Sequence, residues 1–321
     1  MTGAAARRVA ATVERAEAGR RLDLWLAERL PDLSRTRIKA LVDAGRIRVD
    51  DAPALKASRR LRPGERVEAE IPPPPPEEMV PEAIPLTIVF EDDHVLVVDK
   101  PAGMVTHPGA GARSGTLAAA ALAHAPGLAG VGGPRRPGIV HRLDKGTSGL
   151  IALAKTPQAY DSLTAQLQRR TVSRRYLCLA YGVIRREDGV IDAPLTRDPK
   201  SRVRMAVARE GTGRRAVTRF HVLERFRTAT FLECRLETGR THQIRVHLAS
   251  MGHPLLGDET YGGRRARSGE TLPEELVRGL EGVALHAAGL SFLHPVTGEL
   301  VELASPLPTR IVRILSHLRP R

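Results

Sequence analysis

Two cysteines are all that the 321-residue chain contains, and they do not form a Cys-x-x-Cys pair. A disulfide framework and the common zinc ribbons are therefore excluded. Cys178 and Cys234 each sit in an apolar, alternating run, so both are expected as core thiols in a reducing compartment. Aromatic residues make up only 3% of the chain, with a single tryptophan. Leu, Val, Ile and Ala must then build the core that a 42% hydrophobic content supplies. Long apolar runs are missing too. None approaches the length of a membrane span, and residues 1–20, rich in Ala and Arg, lack the continuous apolar segment of a signal peptide. The expected location is cytoplasmic.

Acidic residues are in deficit, 36 against 50 Lys and Arg, which leaves a net charge of +14. Such an excess favours a polyanionic partner. Lysine is itself scarce, occurring only at Lys39, Lys56, Lys100, Lys145, Lys155 and Lys200, so arginine carries the charge. The guanidinium fork binds phosphate and stacks on bases, which suits RNA. A coding bias toward Ala, Gly and Arg would explain arginine over lysine, but not the positive excess.

Cofactor signatures are also absent. Gly109-Ala110-Gly111-Ala112-Arg113-Ser114-Gly115 misses the dinucleotide spacing, and no Gly-Lys-Ser/Thr follows it. It reads as a loop. His242 and His247 are five apart, not the four that would put two ligands on one helical face. Neither a metal site nor a cofactor is expected, and no obligate protein partner is evident.

What is present divides into two parts. Residues 1–18 read as a flexible N-terminus. Leu22, Trp25, Leu26 and Leu30 recur at helical spacing until Pro31. A second helix is capped by Ser34 and stopped by Gly45, with Ile38, Leu41 and Val42 inward and Arg35, Arg37 and Lys39 outward. Short strands are expected at 47–49 and 66–71, so a small domain spans 19–72. Pro72 to Pro76 are five prolines in a row, the core of a stiff linker over 73–85. The larger region, 86–321, alternates strands with helices at 117–124 and from Pro157 to Arg170. Runs of neighbouring strands imply an α+β fold, with a mainly antiparallel mixed sheet and flanking helices.

One stretch organises that region: His141-Arg142-Leu143-Asp144-Lys145-Gly146-Thr147-Ser148-Gly149-Leu150-Ile151-Ala152-Leu153-Ala154-Lys155. Gly149 to Ala154 is an unbroken apolar run, a buried strand, and the residues before it form a loop. Asp144 thus stands at the mouth of a rigid strand between Arg142 and Lys145, cations that favour its charged form. Its residues alone admit two readings, a reactive carboxylate or a turn residue that caps local amides.

The fifteen residues from His141 to Lys155 resemble the signature of the Rlu family of pseudouridine synthases. The block Lys100 to Gly109 resembles the family's upstream motif. Thr238-Gly239-Arg240-Thr241-His242-Gln243-Ile244-Arg245-Val246-His247 resembles its third block. The resemblance implies a central mixed sheet crossed by an RNA-binding cleft, and isomerisation of uridine to pseudouridine without a cofactor. It implies Asp144 as the catalytic carboxylate, Arg245 meeting it from a helix capped by Thr241, and Tyr176 stacking on the base as proton donor or acceptor. Ile244, Leu248 and Met251 are expected to bury that helix. Arg142 matches the arginine that enters the duplex as the target nucleotide leaves. Lys100, His107, His141, Arg240 and His242 are expected to shape the pocket or touch RNA. The N-terminal domain resembles the small RNA-binding module first seen in ribosomal protein S-four. That module and His107-Pro108-Gly109-Ala110-Gly111 resemble the branch acting on large-subunit (23S) ribosomal RNA. Position 146 holds Gly where some members carry an acid, so particular uridines are not assigned. Two other readings share the charge and the module: an RNA-binding assembly factor with an inactive second domain, and an RNA hydrolase with Asp144 as general base. The first leaves the intact Asp144, Tyr176 and Arg245 unexplained, and the second lacks a partner acid or metal.

Overall fold

The computed structural model describes residues 6–72, 79–109, 112–199, 201, 203–209, 211–262 and 273–319. The chain divides into two compact units, residues 1–77 and 78–321. The proline run at 73–76 lies outside the described residues.

In the smaller unit, β1 (Arg7–Thr12), β2 (Ile47–Val49), β3 (Ala52–Pro53) and β4 (Arg66–Ile71) form a sheet in the order β1-β4-β2-β3. Two helices, α1 (Leu22–Arg29) and α2 (Arg35–Asp43), pack on it. Ser34 caps α2, its hydroxyl accepting from Arg37 N at 3.2 Å. Trp25, Leu22, Ile38 and Ile47 are wholly buried and form the centre of a separate core. The N-terminus is not frayed throughout as expected. Residues 7–12 pair antiparallel with β4, Arg7 opposite Ile71 and Thr12 opposite Arg66. With Arg7, Arg8, Ala10, Ala11 and Thr12 around Val9, the segment lacks strong apolar alternation, which an edge strand does not need.

The larger unit has an eight-strand path of β5 (Thr87–Glu91), β6 (Val95–Lys100), β7 (Ser148–Ala154), β14 (Leu285–Leu293), β8 (Ser173–Tyr181), β13 (Ala229–Leu236), β12 (Val217–Arg225) and β9 (Asp188–Asp192), in that spatial order. A ninth strand, β15 (Leu300–Ala304), pairs with β14. The hairpin β10 (Leu195–Arg197) and β11 (Met205–Val207) stands apart. Helices α3 (Leu117–His124), α4 (Pro157–Arg169), α5 (Gln243–Ser250), α6 (Glu274–Arg278) and α7 (Thr309–Leu318) complete it. The fold is α+β, and among the described residues the strand pairs are antiparallel except β7 with β14. Residues 79–85, expected in the linker, belong to this unit. Glu82 N donates to Ala119 O at 3.1 Å, and its carboxylate accepts from Gly115 N at 2.9 Å.

The β7–β14 pair fixes the loop that precedes β7. Every residue of β7 is buried. Gly149 has φ +113°, and a Cβ there would lie 2.4 Å from Ala287 O, so the two backbones meet only because this position lacks a side chain. A directional chain of side chains ties the start of β7 to its surroundings. Arg310 Nη2 donates to Ser148 Oγ at 2.9 Å, which meets His286 Nδ1 at 3.0 Å. His286 Nε2 lies 3.1 Å from Ser305 Oγ, which donates to Asp99 at 2.5 Å. Cys178 and Cys234 are fully buried, their sulfurs 3.8 Å apart, and are core thiols as expected.

Candidate active site

The loop before β7, the start of β8 and the N-terminal part of α5 enclose a cleft of about 600 Å³. Asp144, Tyr176 and Arg245 line it together, and so do Arg142, His107, Arg240 and His242. Arg35, Arg37 and Lys39 lie in the N-terminal unit, on α2. Each has a local partner: Asp23 at 3.1 Å for Arg35, Pro72 O at 3.4 Å for Arg37, and Asp43 at 3.0 Å for Lys39.

Asp144 is held by its own loop before any side chain reaches it. Thr147 N donates to Asp144 O at 3.0 Å, closing the turn. The Thr106 hydroxyl donates to Leu143 O at 2.8 Å. The carboxylate is 14% exposed, and Arg245 Nη1 donates to its Oδ2 at 3.3 Å.

Arg245 is oriented by a residue that the sequence motifs do not mark. Asp258, wholly buried, accepts from Arg245 Nε at 2.7 Å and from Nη2 at 2.9 Å. Asp258 Oδ1 also accepts from the backbone N–H groups of Thr260 and Tyr261, each at 3.1 Å. Burial opposes the Arg245 charge, but the hydrogen bonds and charge of Asp258, with Asp144 behind them, raise its pKa above the ordinary value. The guanidinium is thus a permanent, fixed cation. Asp258 follows Gly257, and a lone aspartate after glycine reads as a turn residue, so the sequence carries no signal for this role.

The helix carrying Arg245 does not start at Thr241. Its N-cap is His242, in a left-handed conformation at φ 57°, and α5 begins at Gln243. The amide of Gln243 instead ties the preceding turn to the helix start: Oε1 accepts from Arg240 N at 3.0 Å and from the Thr238 hydroxyl at 2.7 Å. Met251 is 39% exposed rather than inward, while Arg245, Val246 and His247 are buried beside Ile244 and Leu248. Helix α5 is buried on nearly all sides, so a one-faced pattern is not what it needs.

His242 Nε2 lies 3.9 Å from Asp144 Oδ1, and its Nδ1 is 2.8 Å from the Tyr261 hydroxyl. The Tyr261 oxygen already accepts from Met205 N at 2.8 Å. Burial lowers the His242 pKa, and Asp144 only partly restores it. The ring is neutral at neutral pH.

Tyr176 is 6% exposed, and burial raises its pKa, with Asp144 adding to the rise and Arg174 opposing it. The phenol keeps its proton. His141 Nε2 accepts from Ala152 N at 3.0 Å, and burial pushes the ring down to about 3, so it is neutral and structural. Burial, with Arg136 and Arg142 nearby, brings His107 down to about 4. Lys100, fully buried, donates to Pro101 O at 2.8 Å and Met104 O at 2.9 Å, and burial pushes it down to about 7. Arg142 and Arg240 stand exposed at the rim. The site thus joins one carboxylate, one fixed cation and one neutral phenol at the floor of an arginine-rimmed cleft.

Comparison with known proteins yields one consistent set of likenesses. Residues 94–250 match the family model for RNA pseudouridylate synthase, and residues 20–67 match the S4 domain. An uncharacterised RNA pseudouridine synthase of Bacillus subtilis is 44% identical over 96% of this chain and 97% of its own. Ribosomal large subunit pseudouridine synthase D of Xanthomonas campestris is 46% identical over 96% of this chain and 92% of its own. Among solved structures, human RNA pseudouridylate synthase domain containing 1 aligns with a TM-score of 0.56 at 25% identity, over 75% of this chain and 97% of that one.

Proposed function

The chain belongs to the RNA pseudouridylate synthase family, and on that premise we propose that it isomerises uridines of large-subunit ribosomal RNA, with Asp144 as the reacting carboxylate. The observation that carries the residue assignment is the Asp144–Arg245 contact at 3.3 Å on the cleft floor. It supplies a partly buried carboxylate aimed by a cation.

The reaction breaks the bond from ribose C1′ to base N1, turns the base, and joins C1′ to C5. The proton on C5 is lost and N1 gains one, so nothing is oxidised. Asp144 has three chemically distinct ways in: attack on C1′, addition to the base, or removal of the ribose 2′ proton to give a glycal. Each requires the carboxylate at Asp144. Arg245 holds that group in one geometry, and the protonated Tyr176 offers a flat ring and a donor to the base. A stacked uridine must leave its helix to reach the floor, and exposed Arg142 at the rim is placed to enter the gap. His107, Arg240 and His242 contact the RNA in the cleft. In the N-terminal domain Arg35, Arg37 and Lys39 present a cationic face to RNA phosphates. The chemistry is carried out in the cytoplasm, where the ribosomal RNA is.

Pseudouridine mapping of large-subunit RNA from cells with and without the gene tests the reading, together with purified wild type and Asp144→Asn on transcribed RNA. New pseudouridine from wild type and none from a folded Asp144→Asn enzyme is expected. Isomerisation by Asp144→Asn would overturn the assignment of that carboxylate.

A further inference from the structure

Four buried side-chain polar atoms among the described residues have no hydrogen-bond partner: His107 Nδ1, Thr147 Oγ1, Thr164 Oγ1 and Arg174 Nε. All four residues line the cleft that holds Asp144. Buried polar groups are ordinarily paired, so their gathering in one cavity marks where a ligand's polar atoms belong. Thr147 belongs to the turn of Asp144, and His107 follows Thr106, which bonds Leu143 of the same loop. Thr164 and Arg174 sit on α4 and at the start of β8, on a different wall.

Arg174 is 8% exposed and shares a face of β8 with Tyr176, two residues and about 7 Å along the strand. Its neighbour Arg175, on the opposite face, has Glu233 at 3.6 Å. Among the described residues Arg174 has no ion-pair partner, and burial lowers its pKa with Tyr176 opposing. Its fork lies against the Gly239 backbone, where an added Cβ would come within 2.5 Å of Arg174 Nη1. Arg136, Arg142 and Arg170 also line the cleft but are exposed, and water can solvate them. A buried cation without a counter-charge is a different matter.

We infer that the start of β8 carries a phosphate subsite, in which Arg174 grips a backbone phosphate adjacent to the nucleotide held at Asp144, in the same cleft that Thr164 of α4 lines. The inference rests on the RNA isomerase reading. Uracil is neutral and could satisfy a donor but not a charge, whereas the phosphodiester is the anion that RNA brings into every cleft. The planar fork matches two phosphate oxygens.

The test uses full-length protein, wild type, Arg174→Met, Arg174→Lys and Gly239→Ala, each first checked by melting. Binding is measured on a transcript of large-subunit ribosomal RNA across salt. Arg174→Met should bind roughly 10- to 100-fold more weakly, with a salt slope shallower by about one phosphate. At saturating RNA its turnover should stay within about 3-fold of wild type, as for lost uniform binding. Arg174→Lys should recover part of the affinity. Gly239→Ala keeps the charge but displaces it, and should lose affinity as well. On a synthetic fragment with a converted uridine, one neutral methylphosphonate beside that uridine should weaken wild type and leave Arg174→Met unchanged. Wild-type affinity and slope in Arg174→Met, or methylphosphonate losses equal in both proteins at every position, would overturn the subsite. Arg174-dependent binding by a wild type that makes no pseudouridine would instead sink the isomerase reading and leave the subsite standing.

Discussion

Asp258 occupies Nε and Nη2 of Arg245 at 2.7 and 2.9 Å, so Nη1 is the nitrogen that reaches Asp144. The cation at the cleft floor is thus shared between a wholly buried carboxylate, Asp258, and a partly exposed one, Asp144. On the proposed reading the arrangement separates two jobs. Asp258 fixes where the guanidinium is, and Asp144 is the group that reacts.

Asp258→Asn should therefore disturb catalysis without touching substrate. Loss of one charge from a buried pair costs on the order of 3–5 kcal/mol when the partner is left uncompensated; here Asp144 compensates in part, so a cost below that range is expected. Single-turnover rate should fall by 10-fold or more, since small misplacements of a reacting group are costly. Arg245→Met is predicted to be the more severe change, because it leaves Asp258 buried with no cation. Melting and single-turnover assays check both, and a wild-type rate in Asp258→Asn would show that Arg245 needs no anchor.

Lys100 should make stability depend on pH. Burial holds it at about 7 in the folded chain, whereas an unfolded lysine keeps its proton to about 10.4. Between those values the unfolded state binds more protons, so the penalty, full below pH 7, lifts as pH rises. Wild type should gain on Lys100→Met across this window by up to about 1.4 kcal/mol per pH unit. Denaturant melts of the two proteins at about pH 6.5, 8 and 9 check it, and parallel curves would refute it.

The isolated N-terminal unit should bind structured RNA without isomerising it. Its own core, centred on Trp25, Ile38 and Ile47, supports folding without the larger unit. Affinity should fall steeply with salt, and replacing Arg35, Arg37 and Lys39 by Gln should cut the slope by roughly two to three. A flat titration would leave α2 a solvated face.

Gly149→Ala should be among the most destabilising single-methyl additions in the chain. The new Cβ would meet the Ala287 backbone at 2.4 to 2.7 Å, at a φ that L residues rarely adopt. A cost of several kcal/mol is expected, from overpacking and backbone strain together. Gly127→Ala, with nothing within 4 Å of its Cβ, serves as the control. Equal melting of the two variants would mean that β7 and β14 can part without loss.

Much of the fold was legible because its elements carry their own signals. Helix α3 and helix α4 begin with capping threonines, Thr116 and Thr156, and β7 is an unbroken apolar run. The cleft's chemistry was legible through the three blocks around Lys100, Asp144 and Arg245. Strand β14 was not, although it is central, because His286, Gly289 and Ser291 break the alternation that its neighbours show. Those residues are there for partners distant in sequence: His286 for Ser148 and Ser305, Gly289 for the close approach of Arg175. Asp258 and Arg174 were silent for a related reason. One acts only through Arg245 and the other faces a group the chain does not contain, so neither leaves a local pattern.

The partnership of β7 with β14 also sets an order on synthesis. Ser148 and His286 are 138 residues apart, so β7 is laid down long before its parallel neighbour β14 emerges. A nascent chain leaving the ribosome completes the N-terminal unit by residue 77, then β6 and β7, and must wait for β14 to close the sheet. During that wait β7 presents an open apolar edge, the feature most prone to wrong pairing in newly made chains. Each molecule thus carries a finished RNA-binding module while its catalytic floor is still unbuilt.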